Sequence, residues 1–492
     1  RLSGSDKKNN EANRMAKTIN RRRFLDITKS ALFGGAAVLG TSGLVGRGVP
    51  EAMASQALED STGTKGTRVV HSYCDVCFMT CGINVVVKDG KAVSIEGNPA
   101  HPISRGKLCP RGAGGLGQLY DPDRIKTPLI RTSYMGIQSF KSVSWDEALD
   151  FVAEKLYKIK KKHGPQSLAL IKHGKGADPF VKLWHALGSK TEAHPSYAQC
   201  RGARDLGWAL TYGGSPGGIE TVGLDKAKVV AFIGGHLGEN MHNVTVQDYT
   251  EGLRKGARNI VVDPRMSTAA SKAKHWLPIK PGTDTALLLA WIHVLIYEGL
   301  YDKNFINQHA VGFEELKEHV KEMTPEWAAA YTNLPANMIR KTARELGEAI
   351  PHSFLFPGRR FAWYGDDTQR ARAMAIVNAL LGAWGSESGI FLGDKFKIPE
   401  YDHYPKHHVK GKAAFDFKAK YPLGTSTPTQ SIVEASIPGR YDVNKKDALV
   451  KAWLVYECNV PYSVPDNALL EEAVNNLDLM VVVETMPSEI TG

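Results

Sequence analysis
The chain has 492 residues, 42% of them hydrophobic and 23% charged, enough to bury more than one core, and it carries no internal repeat or low-complexity tract. Its formal net charge is +11, but residues 1–54 hold ten Lys and Arg against four Asp and Glu, so more than half of the excess sits in that segment. The balance gives no ground for a nucleic-acid or membrane-surface partner, and six cysteines, four of them committed to one motif, argue against a disulfide framework.

Near the start, Arg21-Arg22-Arg23-Phe24-Leu25 form an R-R-x-F-L string. It is followed by an apolar, Gly- and Ala-rich stretch from Ala31 to about Val45 and by Ala52-Met53-Ala54. This order predicts a twin-arginine export signal over residues 1–54, cleaved before Ser55. The competing reading is a membrane anchor, but the stretch is short and glycine-rich for a hydrocarbon core of about 30 Å.

Next come Cys74, Cys77, Cys81 and Cys109, spaced C-x2-C-x3-C-x27-C. Three thiolates on one tight loop can hold three corners of a cubane, and a fourth from a distant segment closes it, which predicts a [4Fe-4S] cluster in a domain spanning 55–130. Zinc is the alternative. Its structural sites usually show two short ligand clips, whereas this chain offers one clip and a lone cysteine followed by Pro110-Arg111-Gly112.

Beyond the cysteines, short β-branched runs alternate with longer amphipathic segments. Val229–Ile233, Ile260–Val262, Ala452–Tyr456 and Leu479–Val483 read as buried strands bounded by Gly, Pro or Asp. A helix is predicted over Thr285–Glu298, with Leu287, Leu288, Trp291, Ile292 and Leu295 on one stripe, and another over Gln369–Leu381. The fold class is therefore α/β with parallel sheets. Three further regions are expected: an α/β region over 131–395, an irregular excursion over 396–445 rich in Pro, Lys, His and Gly, and the start of a further α/β region over 446–492.

Several residues stand where strands end. Gly234-Gly235 and Glu239 follow the Val229 run, Asp263-Pro264-Arg265 follow the Ile260 run, and Pro281-Gly282-Thr283-Asp284 form a turn at a helix start. At the carboxyl end of a parallel sheet such groups can meet a nucleotide, with the Asp263 carboxylate accepting from a guanine edge and Thr283 meeting a phosphate or carbonyl. An ordinary helix cap is the plainer role for each taken alone.

The cysteine quartet with Cys109-Pro110-Arg111-Gly112 resembles the amino-terminal cluster domain of the molybdopterin-guanine-dinucleotide oxidoreductases, the dimethyl sulfoxide reductase superfamily. Pro357-Gly358-Arg359-Arg360, Trp363-Tyr364-Gly365-Asp366-Asp367-Thr368-Gln369-Arg370 and Glu484-Thr485-Met486-Pro487-Ser488-Glu489 are most similar to the catalytic subunits of polysulfide and thiosulfate reductases. The resemblance implies a small cluster domain, two doubly wound parallel-sheet halves and a carboxy-terminal β-barrel that this chain lacks. It implies molybdenum bis(molybdopterin guanine dinucleotide) beside the [4Fe-4S] cluster, and Cys200 as the thiolate on molybdenum. By itself Cys200 is a lone cysteine that reads as a small buried hydrophobe.

The resemblance further assigns Arg111 to the space between cluster and pterin, and Gly235, Glu239, Asp263, Arg265, Gly282, Thr283, Asp284 and Asn459 to the cofactor. His173 and Arg359 fall to the substrate pocket, His173 as a proton donor and Arg359 as a permanent cation for an anionic substrate. It implies an exported enzyme of anaerobic respiration in the periplasm or on the outer face of the cytoplasmic membrane. Electrons would come from an iron–sulfur subunit held by a membrane anchor subunit. An arsenate reductase and a non-catalytic electron-transfer scaffold are the alternatives, and formate oxidation fits less well because Arg201, not His, follows Cys200.

Overall fold
The computed structural model describes residues 66–77, 79–133, 139–194, 198–213, 222–235, 237, 243–358, 365–390, 411–424 and 426–491. The twin-arginine segment, Glu239 and Arg359 lie outside them.

An antiparallel sheet opens the described chain, β1 (Thr67–Tyr73), β2 (Gly82–Lys88) and β3 (Lys91–Gly97), followed by a two-stranded ribbon of β4 (Leu129–Arg131) and β5 (Phe140–Ser142). Helix α1 (Trp145–His163) starts where the Ser144 side chain accepts from Glu147 N–H, and it ends in Lys160, Lys161 and Lys162, which suit the negative end of the helix dipole. Strand β6 (Leu168–Lys172), helix α2 (Asp178–Leu187) and strand β7 (Thr191–Ala193) follow. A single π-helical turn, Ala198–Gly202, leads into α3 (Ala203–Tyr212).

A second run of elements forms the first α/β half: β8 (Val229–Ile233), α4 (Asn243–Arg254), β9 (Arg258–Val262), β10 (His275–Leu277), α5 (Asp284–Tyr297), α6 (Ala336–Glu348), β11 (Ser353–Leu355) and α7 (Asp367–Leu380). Its strands pair in parallel in the order β10-β9-β8-β11. Helix α5 departs from the one-stripe expectation. Ala290, Val294 and Ile296 are buried along with Leu287, Leu288, Trp291, Ile292 and Leu295, because α6, α7 and the helix Pro325–Thr332 surround it. Each such Leu or Ile contributes roughly 1.5–3 kcal/mol of burial, and the Trp291 indole N–H is satisfied by Thr342 Oγ1 at 3.1 Å.

Strand β12 (Ala452–Tyr456), α8 (Asn467–Asn475) and β13 (Leu479–Val483) complete the other half. The sheet order β13-β12-β6-β7, all parallel, places β12 beside β6 with Ala452 opposite Leu168. Residues 446–491 therefore do not open a separate region as the sequence suggested. They close a sheet begun almost three hundred residues earlier, so the first half is inserted between β7 and β12. Alternation along β6 divides its side chains between two cores, with Ala169 and Ile171 facing one and Leu168 and Leu170 the other. The expected irregular excursion also contains order. Helix Thr429–Ala435 buries Ile432 and Val433 in this half's core, and Trp453 Nε1 donates to Ser436 Oγ at 2.9 Å. Among the described residues no helix is long and apolar enough to cross a membrane.

Candidate active site at the carboxyl edges of the two sheets
The cluster loop connects β1 to β2. Cys74 N–H donates to the Cys81 carbonyl at 2.8 Å and Thr80 N–H to the Cys77 carbonyl at 3.2 Å, folding three thiols onto one tight turn. Cys109 arrives from the far side, at the start of the helical turn Pro110–Ala113. Gly112 packs closely there, where a Cβ would lie 3.2 Å from Cys74 Sγ and 2.7 Å from Leu108 Cδ1. The four thiols are close enough to act on one another. Burial pushes the Cys81 thiol up and the neighbouring Cys77, Cys74 and Cys109 add to it, against a hydrogen bond from Asn243. Burial also raises Cys109, but N–H groups of Gly112 and Arg111 together with the Arg111 guanidinium outweigh it and hold the thiol below its ordinary value. Arg111 thus acts on the last cysteine of the cluster site.

Helix α4 fixes the segment before Cys109, a role the sequence did not reveal. Asn243 Nδ2 donates to Lys107 O at 2.8 Å, Gln247 Nε2 to Ser104 O at 3.1 Å, and Arg105 pairs with Asp248 at 2.5 Å. Polar residues on an exposed helix face give no warning of such a clamp.

At the carboxyl edge of the first sheet, Gly234 takes φ +61° and its N–H donates to Val262 O at 2.9 Å, which sets Gly235 beside Asp263 at neighbouring strand ends. Asp263 is 3% exposed. One of its oxygens accepts from Arg265 N–H at 2.9 Å, while Oδ2 is buried without a hydrogen-bond partner. A buried, half-satisfied carboxylate costs of the order of 1–3 kcal/mol, more if charged, and it fits a ligand that brings N–H donors. The turn behind it is differently used. Gly282 has φ +82°, Thr283 Oγ1 donates to Lys280 O at 2.7 Å, and buried Asp284 lies 3.6 Å from Arg370, which also holds Asp367 at 2.7 Å. Burial raises the Asp284 carboxyl in spite of Arg370. Thr283 therefore closes its own turn, and Asp284 ties α5 to α7 within the protein itself.

At the carboxyl edge of the second sheet, His173 follows β6, with its N–H donating to Tyr456 O at 3.1 Å. Asn459 stands at the start of the helical turn after β12; its Nδ2 donates to Glu489, and its Oδ1 is buried without a partner, a second acceptor suited to a bound group. Cys200 is half-buried in the π-helical turn between β7 and α3, a local geometry that recurs at functional sites.

Fully buried Arg204 ties this turn to the first sheet. Its Nε and Nη2 bond Asp205 Oδ1 at 2.9 and 2.5 Å, its Nη1 bonds Gly358 O at 2.9 Å, and Arg201 lies 3.4 Å from Asp205 Oδ2. Arg201 also acts on His194, the residue after β7, whose imidazole is held below its ordinary value by burial, by Lys172, and by His173 and Arg201, against Glu192. The Cys200 turn thus stands between the carboxyl edges of both sheets, next to a cationic strand edge. These edges fit the group: a soft thiolate donor for molybdenum at Cys200, orphaned buried acceptors at Asp263 and Asn459 for a nucleotide, and a glycine strand end for close approach.

The chain matches the family described as molybdopterin oxidoreductase over residues 124–490, and the molybdopterin oxidoreductase Fe4S4 domain over residues 67–121. It is 30% identical over 482 residues to the thiosulfate reductase molybdopterin-containing subunit PhsA of Salmonella typhimurium, covering 94% of this chain and 62% of the relative. It is 27% identical to the arsenate respiratory reductase molybdopterin-containing subunit ArrA of a Shewanella species, covering 85% of this chain and 53% of that one. The acetylene hydratase structure from Pelobacter acetylenicus superposes with a TM-score of 0.66 at 26% identity, over 85% of this chain and 60% of that one. The chain spans little more than half to three fifths of the length of these relatives. With a strand-end site of this kind and a family match over most of its length, the chain belongs to the molybdopterin oxidoreductases of the dimethyl sulfoxide reductase superfamily, and its cofactors are molybdenum-molybdopterin and one [4Fe-4S] cluster.

Proposed function
We propose that the protein is the exported catalytic subunit of a reductase that splits the S–S bond of polysulfide or thiosulfate. The observation that carries this reading is the basic strand edge beside the Cys200 turn, where Lys172, His173 and Arg201 gather around His194. Such an edge favours a small anion over a cationic substrate. Similarity to the PhsA subunit supports the sulfur substrate.

When bound, the molybdenum cofactor supplies the two-electron chemistry, with Cys200 as its thiolate ligand, Asp263 and Asn459 receiving the nucleotide ends and Arg111 between cluster and pterin. The chain's own residues bind and orient the anion and hold its proton. Thiosulfate takes up two electrons and one proton as its S–S bond breaks, giving sulfite and hydrosulfide, and His173 hands that proton to the departing sulfur in this reading. Arg359 holds the terminal negative charge, since arginine stays charged at any working pH. Electrons enter through the [4Fe-4S] cluster from an iron–sulfur partner subunit, with a membrane anchor subunit behind it. The complex works in the periplasm or on the outer face of the cytoplasmic membrane, reached through the twin-arginine route.

The test is anaerobic oxidation of reduced viologen by the full-length enzyme, with polysulfide, thiosulfate and arsenate offered separately. Turnover with a sulfur substrate that collapses in Arg359→Ala supports the reading. Turnover with arsenate alone replaces it with an arsenate reductase, a result the similarity to the ArrA subunit makes worth excluding. No bound molybdenum in the purified enzyme would make the protein an electron-transfer scaffold.

A further inference from the structure
The helix that leads away from the Cys200 turn holds a buried charge pair. On α3, Arg204, Gly207 and Trp208 stand at i, i+3 and i+4 on one face, and all three are buried. Leucine or methionine would fill such a position without difficulty, because taking a guanidinium and a carboxylate out of water often costs more than their attraction returns. Arg204 is nevertheless 0% exposed, and its partner Asp205 is 6% exposed.

The contacts of the pair are those of a tether. Asp205 Oδ1 accepts from Arg204 Nε and Nη2 at 2.9 and 2.5 Å, while its Oδ2 lies 3.4 Å from Nε of Arg201, the residue next to Cys200. Arg204 Nη1 donates to Gly358 O at 2.9 Å, just past β11, the strand that pairs with β8 in the first sheet. One planar guanidinium thus spans from the Cys200 turn to that sheet. The turn depends on such a hold, since the π-helical residues Ala198–Gly202 depart from the regular i→i−4 ladder that fixes an α-helical backbone. Further along the same face Gly207 closes α3 onto α7, so the helix is registered at two points.

We propose that Arg204 and Asp205 are positioning residues that fix the Cys200 thiolate relative to the first sheet and thereby set how that thiolate meets bound molybdenum. This role rests on Cys200 being the metal ligand. Arginine suits it because its rigid fork reaches Asp205 and Gly358 O at once, whereas a lysine ammonium is a single point of charge that cannot span both. A displacement of about 1 Å at a reacting centre can lower a rate by about a hundredfold.

The test uses full-length holoenzyme and three variants: Arg204→Lys, the apolar double variant Arg204→Met with Asp205→Leu, and Cys200→Ser. Molybdenum content, melting temperature, the Mo(V) magnetic resonance spectrum and turnover with thiosulfate are measured on each. Cys200→Ser is the reference, since exchanging the metal's sulfur donor for oxygen must alter or abolish the Mo(V) spectrum. Arg204→Lys should shift that spectrum and lower kcat by about ten- to a hundredfold at unchanged KM, because Arg201 keeps its carboxylate partner. The double variant should melt at or above the parental temperature, as apolar replacements of buried ion pairs often do, yet show the shifted spectrum and the reduced kcat. A merely structural pair predicts the opposite there, restored stability together with the parental spectrum. Should Arg204→Lys fail to fold, the double variant carries the same readouts. A parental spectrum and kcat in either folded variant overturn the proposal. An unchanged spectrum in Cys200→Ser refutes the ligand reading and the pair's role with it, whereas a changed one beside a parental Arg204→Lys refutes the pair's role alone. A parent enzyme that reduces arsenate and no sulfur compound refutes only the substrate reading, and kcat is then read on arsenate.

Discussion

Gly207→Ala is the substitution whose consequence is most directly legible in the packing. Gly207 lies on the face of α3 that meets α7, and a Cβ there would stand 2.6 Å from both Thr368 O and Ala371 Cβ and 2.9 Å from Arg372 N. Ordinary carbon contacts lie near 3.5–4.0 Å, and two of the opposing atoms are backbone, so the helices must part by about 1 Å. Overpacking of this kind costs roughly 1–3 kcal/mol. The better helix propensity of alanine returns about 0.5–1 kcal/mol, leaving a net destabilisation of about 1 kcal/mol that reaches about 2.5 kcal/mol at most. Because α3 begins at the turn that carries Cys200, the shift should also reduce molybdenum retention while leaving the iron of the distant cluster loop in place. Denaturant midpoint and metal content of the purified variant check both. A Gly207→Ala protein as stable as the parent, with full molybdenum, would show that the helices accommodate a methyl group and that the contact does not set the position of Cys200.

Three further outcomes are expected. Asp263→Asn removes a buried, half-satisfied carboxylate, so the apo protein should be as stable as the parent or slightly more so while retained guanine nucleotide falls at least about tenfold, measured by release and chromatography. Glu345 is buried in α6 against His275 at 2.8 Å, Lys274 at 3.1 Å and Arg258 at 3.1 Å, and although burial raises its carboxyl, these partners hold it below the ordinary 4.5. A depressed carboxylate stabilises above its unfolded value and loses that contribution as pH falls through the folded one. Glu345→Gln should therefore unfold more easily at neutral pH and show a shallower loss of stability below about pH 4.5, seen in melting curves across pH. Burial, helped by Glu457 and Glu484, pushes the Cys458 thiol up to about 12. Iodoacetamide at pH 8 should leave Cys458 unlabelled in the native protein and label it after denaturation, as peptide mass spectrometry would show.

The site was legible wherever chemistry demands a local pattern. Four thiols at C-x2-C-x3-C-x27-C, a Pro-Arg-Gly behind the last of them and an Asp directly after a β-branched run all declare themselves within a few residues, because cluster ligation and strand-end binding depend on short-range geometry. The strands were readable for the same reason, since a strand buried on both faces has few sequences open to it. What the chain alone did not disclose is long-range. That β12 pairs with β6, making one sheet of segments almost three hundred residues apart, depends on backbone pairing that any two apolar strands satisfy equally well. That α5 is buried all round rather than along one stripe follows from which helices surround it. The α4 clamp on the segment before Cys109, the Arg204 tie from the Cys200 turn to Gly358, and the Asp205 carboxylate shared by Arg201 and Arg204 each use side chains whose types are ordinary on any protein surface. Residue type and spacing determined the donors; only the packing of two parallel sheets, which brings their carboxyl edges to either side of one helical turn, decided which of them work together.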